Sequence, residues 1–247
     1  MHYIVLDFEW NQPLSEKEML MEPFPFDSEI IEIGAIKLDE SFQTVDEFKT
    51  FICPQFYPHL SNAVVQLTKI RPQELEKAPS FPEAFDAFID WCGDDCALCS
   101  WGPDDIPVLL DNMLLHGIPT EPFPYCYDLQ RIFARELLRE NRQCSLSDAV
   151  KMLKLPADRA HDALNDTRNT VRVCERMDLA GCIDEYRTAF VGYGADRKSG
   201  LISGLIYPSL DAALADTRVK EITCPYCGEQ VSLTVSPQEG NTLFGYG

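Results

Sequence analysis

Two carboxylates, Asp7 and Glu9, stand two residues apart at the end of the apolar run YIVLDF, residues 3–8, which reads as a β-strand. Side chains alternate across a strand, so both acids share one face while Phe8 turns to the other. Two acids on one face of an otherwise buried strand are costly unless a cation neutralises them. A solvated strand end would account for the pair equally well if nothing else in the chain converged on it.

The order of elements says what surrounds that strand. A polar loop with Pro13, Pro23 and Pro25 follows, and those prolines exclude a central strand there. Residues 30–38 (IIEIGAIKL) and 47–52 (EFKTFI) are two more strands, with Asp39-Glu40 suited to a hairpin between them. Residues 81–91 place Phe81, Phe85 and Phe88 on one helical face, and Ser80 with Glu83 has the form of a capping box. A strand over 97–101 precedes a helix over 105–116. A strand over 123–127 then leads to helical patterns over 129–141, 145–154 and 161–177. Three strands followed by alternating helices and strands predict an α/β fold, a mixed sheet with helices on both faces. Glycine and serine thicken between Gly192 and Gly204, where amphipathic periodicity stops. The expected division is a domain over 1–190, a linker over 191–204 and a small tail over 205–247.

Composition narrows the class. The chain has 247 residues and no apolar run near the ~20 that a membrane span needs. With no basic start or cleavage site at the N-terminus either, a cytoplasmic protein is expected. Its 10 cysteines are therefore read as reduced, and Cys92, Cys96 and Cys99 as core packing rather than a metal site. The net charge of −19 argues against tight non-specific binding to nucleic acid, yet it is unevenly spread. Residues 1–126 hold 6 Lys+Arg against 23 Asp+Glu, a net of −17; residues 127–247 hold 15 against 17, a net of −2. In that second half Arg131, Arg135, Arg139 and Arg142 recur at helical spacing. They would make either a solvated face paired with Glu136 and Glu140 or a set of backbone-phosphate contacts.

Two further acidic features match the first. In Ser100-Trp101-Gly102-Pro103-Asp104-Asp105 a strand stops in a Gly-Pro turn and an acid opens the next helix. One of the two aspartates suits an N-cap, and the helix phase lets Asp105 point towards the sheet. His161 and Asp166 lie five residues apart at the start of the helix over 161–177, where a histidine before the helix and an acid inside it can meet at one point.

Taken in order, Asp7-x-Glu9, Asp105 and His161-x-x-x-x-Asp166 resemble the motifs of the DEDDh 3′→5′ exonucleases, and the element order resembles the ribonuclease H-like architecture with its five-stranded mixed sheet. Glu32-Ile33-Gly34-Ala35, Leu67-Thr68 before Ile70, and Ser145-Leu146 opening a late helix add to the likeness, which covers about residues 1–180. The first motif continues Trp10-Asn11-Gln12, similar to bacterial members related to a sporulation-kinase-pathway inhibitor. The resemblance implies two Mg²⁺ or Mn²⁺ ions, hard cations suited to oxygen ligands. Asp7 would bridge both, Glu9 and Asp166 would complete one site, Asp105 would support the other, and His161 would be the general base. It also implies a single-stranded RNA or DNA substrate with a free 3′ end, contacted by Phe8, Glu9, Trp10, Leu67 and Thr68 (core packing being the alternative for Phe8 and Leu67), with Arg135 and Arg139 as candidate phosphate contacts, and nucleoside 5′-monophosphate products. The same resemblance leaves room for a regulatory protein of this fold that binds a protein partner. Asn11 replaces a more usual Thr, and Leu67-Thr68-Lys69 replaces Leu-Thr-Gly, departures that bear on substrate grip. In the tail, Cys224-Pro225-Tyr226-Cys227-Gly228 is half of a zinc knuckle, making Cys224 and Cys227 candidate Zn²⁺ ligands, although no later Cys or His supplies the other half.

Overall fold

The apolar run that opens the chain becomes the middle of a sheet. In the computed structural model, β1 (His2–Asn11) pairs antiparallel with β2 (Glu29–Leu38) and parallel with β4 (Cys96–Ser100). The edges are β3 (Thr44–Phe51), beside β2, and β5 (Cys126–Asp128), beside β4, so the order is β3-β2-β1-β4-β5. This is a five-stranded mixed sheet of an α/β fold, flanked by helices. The structure describes residues 1–21, 25–120, 123–140 and 142–186, and further on the strand residues 222–223, 230–231, 234–237 and 243–246.

Between β3 and β4 come α1 (Asn62–Thr68), α2 (Pro72–Leu75) and α3 (Phe81–Cys92). Helix α4 (Asp105–Leu115) joins β4 to β5. After β5, α5 (Leu129–Ile132) passes into a π-helical turn over Phe133–Leu138, followed by α6 (Leu146–Met152), α7 (Ala163–Cys174) and α8 (Leu179–Cys182). The chain divides into two units, Met1–Phe190 and Val191–Gly247. In the second, the described strands form two antiparallel pairs, Ile222–Thr223 with Gln230–Val231 and Thr234–Pro237 with Leu243–Tyr246. Cys224 and Cys227 lie outside the described residues.

Burial explains the central strands. Ile4, Val5 and Leu6 of β1 and Ile30, Ile31 and Ile33 of β2 are all buried, whereas β3 is open to solvent along much of its length, as an edge strand can be. On α3 the expected apolar face is present, with Phe81, Phe85 and Phe88 buried. Its capping box forms as well, the Ser80 N–H donating to Glu83 Oε2 at 2.8 Å.

Several boundaries depart from the sequence reading. Strand β1 does not stop at the acids but runs on to Asn11, with a register shift between Glu9 and Trp10. The last strand is three residues, 126–128, rather than a run from 123. Helix α7 begins at Ala163, which leaves His161 in the preceding turn and puts Asp166 in the helix's first turn. The pattern over 129–141 is no single α-helix. Regular pairing ends at Ile132, the π turn adds a residue per turn, and Arg139 adopts a left-handed φ of 57°. The four arginines therefore do not form one α-helical stripe. Arg139 pairs with Glu136 at 3.2 Å, and Arg142 pairs with Glu140.

The position of α7 is set by Gly34 on β2. A Cβ there would lie 2.2 Å from Ala163 C and 2.2 Å from Leu164 N, so the helix backbone rests directly on the strand backbone. The Thr167 hydroxyl, buried at this contact, donates to Ala163 O at 2.7 Å and lies 3.2 Å from Gly34 O. Gly34→Ala should therefore destabilise the protein by about 1–3 kcal/mol or more, the usual range for overpacking, and shift α7. Urea denaturation measures this; an unchanged midpoint would show that the helix can lift without loss.

Candidate active site

A cleft of about 560 Å³ opens where β1 meets α4 and α7, and Asp7, Glu9, Asp105, His161 and Asp166 all line it. Each arrives by a different device. Asp7 and Glu9 come from alternate positions of β1, opposite Gly34 and Glu32 of β2. Asp105 is the first residue of α4, reached through Gly102, whose φ of 109° suits glycine alone. Its Oδ1 accepts the Phe8 N–H at 3.1 Å, which fastens α4 to β1 inside the site. Asp104 occupies the N-cap position, but its side chain makes no capping bond. Asp166 Oδ2 accepts the N–H of His161 at 2.7 Å, while Asp162 caps α7 by accepting Asn165 N–H at 3.2 Å.

Three of these groups are close enough to share an ion. Ligand atoms of Glu9, His161 and Asp166 lie within 4.8 Å of one another. Burial pushes the Asp7 carboxyl well above the usual range, and the charges of Asp105 and Glu9 push it further. Burial raises Glu9 to about 8, helped by Glu32 and Asp166, and raises Asp105 to about 7. Asp166 is raised by burial too, against the N–H of His161 that favours its charged form. A set of oxygen donors that resists ionising together is what a hard divalent cation stabilises, so these residues fit Mg²⁺ or Mn²⁺.

The expected substrate contacts divide. Leu67 is 51% exposed and faces the cleft, and Trp10 is half-buried on its wall. Phe8 and Thr68 line the cleft as well, but Phe8 is only 3% exposed, so little of its surface is open for stacking. Thr68 is buried too, and its hydroxyl donates to Val64 O at 2.9 Å and accepts Ile70 N–H at 3.1 Å. Neither Arg135 nor Arg139 lines the cleft. Among the described residues the one lysine or arginine that does is Lys151 of α6, which the sequence reading did not single out. Ser145, Leu146 and Trp101 also line it, and Trp101 Nε1 holds Cys144 O at 3.0 Å.

The two departures from the family pattern are structural. Asn11 is wholly buried and outside the cleft lining; its Nδ2 donates to Tyr57 O at 2.8 Å and His59 O at 3.1 Å. Lys69 caps α1 in the left-handed region at φ 65°, the conformation that a glycine at this place would adopt without strain.

The raised carboxyls carry a sign. Between the ordinary carboxylate range and about 8, the folded protein binds more protons than the unfolded chain, so metal-free stability falls as pH rises through that window. In EDTA, Tm should be lower at pH 8 than at pH 6, Asp7→Asn should raise it at pH 8, and Mn²⁺ should flatten the wild-type curve. A Tm in EDTA that does not change between these pH values would contradict the strain assigned to the cluster.

The exonuclease (RNase_T) family profile matches residues 4–174, a span holding all five residues. Human 3′-5′ exoribonuclease 1 is 25% identical over 171 residues, covering 65% of this chain and 49% of that protein. The PolC-type DNA polymerase III of Thermotoga maritima is 32% identical over 176 residues, covering 71% of this chain and 12% of that protein. The chain thus spans half or less of the length of these relatives. Among solved structures, the nuclease domain of 3′hExo, a DEDDh family member bound to rAMP, matches with a TM-score of 0.62 at 24% identity. That match covers 73% of this chain and 93% of that one, and shows a shared fold.

Proposed function

We propose, because this chain belongs to the exonuclease (RNase_T) family, that it is a metal-dependent 3′→5′ exonuclease acting on single-stranded RNA or DNA and releasing nucleoside 5′-monophosphates. The observation that carries this reading is the convergence of Asp7, Glu9, Asp105, Asp166 and His161 on one cleft, with the carboxyls pushed towards protonation. Asp7, Glu9 and Asp166 would hold one Mg²⁺ or Mn²⁺, and Asp7 with Asp105 a second. Bound there, the ions supply charge neutralisation at the phosphoryl oxygens and activation of the attacking water.

The chain's own residues do the rest. His161 is exposed at the cleft wall, so its imidazole is free to take a proton from water while its backbone N–H stays tied to Asp166. Trp10 and Leu67 present apolar surface on which a terminal base can rest. Lys151 offers a cation to the strand's backbone; its ion pair with Asp148 is long, 3.9 Å, and exposed, so little is lost when a phosphate replaces it.

His161→Ala should leave Mn²⁺ affinity largely intact while lowering turnover by about 10²–10⁴-fold, the range for a positioned base. Turnover equal to wild type would remove His161 from the reaction. A 3′-phosphate on the oligonucleotide should block degradation; cutting of a circular strand would instead indicate an endonuclease. Lys151→Glu should weaken binding of a short single strand in Ca²⁺ and lower the log–log salt slope by about 0.7, one phosphate contact. Superimposable salt series for the two proteins would exclude Lys151 from the contact.

A further inference from the structure

The turn that carries His161 is held in an unfavourable shape. His161 has a φ of 62°, in the left-handed region that a non-glycine residue rarely adopts, so its surroundings must impose it. Three consecutive residues are each tied down. His161 N–H donates to Asp166, the Asp162 carboxylate caps α7, and the Ala163 N–H faces the carboxylate of Glu32 and favours its charged form.

The last two ties meet at one side chain. Lys49 Nζ lies 2.5 Å from Glu32 Oε1 and 2.8 Å from Asp162 Oδ2. Lys49 reaches them because of register: it stands directly opposite Gly34 on β2, on the face where the missing side chain lets α7 approach. Its neighbour Phe48 turns the other way, its ring 5.5 Å from that of Phe88 on α3. Glu47, two residues back on the same face, clasps Arg168 of α7 at 2.5 Å. Glu32 is buried, and it stands opposite Glu9 in the β1–β2 pairing. An unpaired Glu32 would leave a buried negative charge beside Glu9 and free the Asp162 cap from its shared ammonium.

We infer that Lys49 is a positioning residue for the His161 turn, its ammonium bridging the buried carboxylate of Glu32 and the helix-capping carboxylate of Asp162. It touches neither the cleft lining nor the reacting atoms; it acts through the backbone that aims His161 and through the charge behind Glu9. Arg159 contributes weakly from outside, 3.5 Å from both Asp162 Oδ2 and Thr68 O, and is itself largely exposed. The inference takes its catalytic meaning from the exonuclease reading, while the bridge can be measured without it.

The experiment compares the full-length wild type with K49M, K49R and K49M/E32Q, using a labelled single-stranded oligonucleotide in Mn²⁺. K49M should lower kcat by about 10–100-fold, the range seen when a residue that orients metal-site groups is lost, with KM unchanged. K49R should recover most of that loss, since a guanidinium can donate to both carboxylates. K49M/E32Q removes the buried charge together with its partner, so it should keep the wild-type Tm yet retain the kcat loss. A wild-type kcat in K49M or in K49M/E32Q, or a K49R no better than K49M, overturns the inference. Amide hydrogen exchange gives a readout that needs no turnover: Ala163 and His161 should exchange faster in K49M than in wild type, and equal rates overturn the bridge. A wild type that cleaves nothing sinks the exonuclease reading alone and leaves Lys49 to be judged by the exchange rates.

Discussion

The contact between the first turn of α7 and the backbone of β2 at Gly34 governs how the site is assembled. Helix and strand ordinarily stand apart by the depth of their side chains; here the helix backbone occupies the space a Cβ would need. Because β2 pairs with β1 so that Gly34 faces Asp7 and Glu32 faces Glu9, anything resting on Gly34 lies beside the acids of the central strand. His161 precedes the contact and Asp166 follows it within one turn. One close approach therefore brings the histidine and the fourth carboxylate to the first two. Asp105 comes separately, through its bond to the Phe8 N–H, so two helix starts converge on one strand.

The same convergence creates an electrostatic difficulty that explains the composition of the site. Four carboxylates in a half-closed cleft would repel one another if all were ionised. Proteins often relieve such repulsion with arginine or lysine, yet among the described residues Lys151 is the one such side chain lining this cleft, and Lys49 is occupied with Glu32 and Asp162. Two divalent cations would balance four carboxylates without a protein cation. They would also make the pocket attractive to phosphate in a chain whose net charge is −19. An acidic protein can thus act on a polyanion, provided the attraction is local and carried by ions.

How much of this was legible in the sequence depends on the range of the interaction behind each feature. Asp7 and Glu9 were legible because strand alternation is a local rule, and Ser80 with Glu83 because a capping box spans four residues. Leu67, Trp10 and Phe8 all line the cleft, but how far each is exposed there was not legible, since burial depends on residues distant in the chain. Helix α1 went unread: NAVVQLT is short and rich in β-branched residues, and its Ser61 cap is not followed by an acid. The arginine spacing misled because i, i+4 counting assumes an unbroken α-helix, and the π turn over 133–138 breaks the phase. Lys49 could not have been found at all, for its partners Glu32 and Asp162 lie 17 and 113 residues away.

Edge strands commonly carry lysine because a charged side chain discourages pairing with another sheet. On β3 that ordinary role and a specific one coincide. Alternation gives the strand two faces, one spent on Phe48 against α3 and the other carrying Glu47 and Lys49 towards α7. Charged groups there are partly shielded, and each meets an opposite charge on α7 or its cap, so they bind the helix laterally while Gly34 lets it approach from above. A hydrophobic contact could hold α7 equally well but would tolerate sliding, because dispersion has little directional preference. Charge-assisted hydrogen bonds fix distance and angle, which is what a turn carrying a strained histidine requires. The edge of the sheet, two strands from the acids, thereby sets the geometry at its centre.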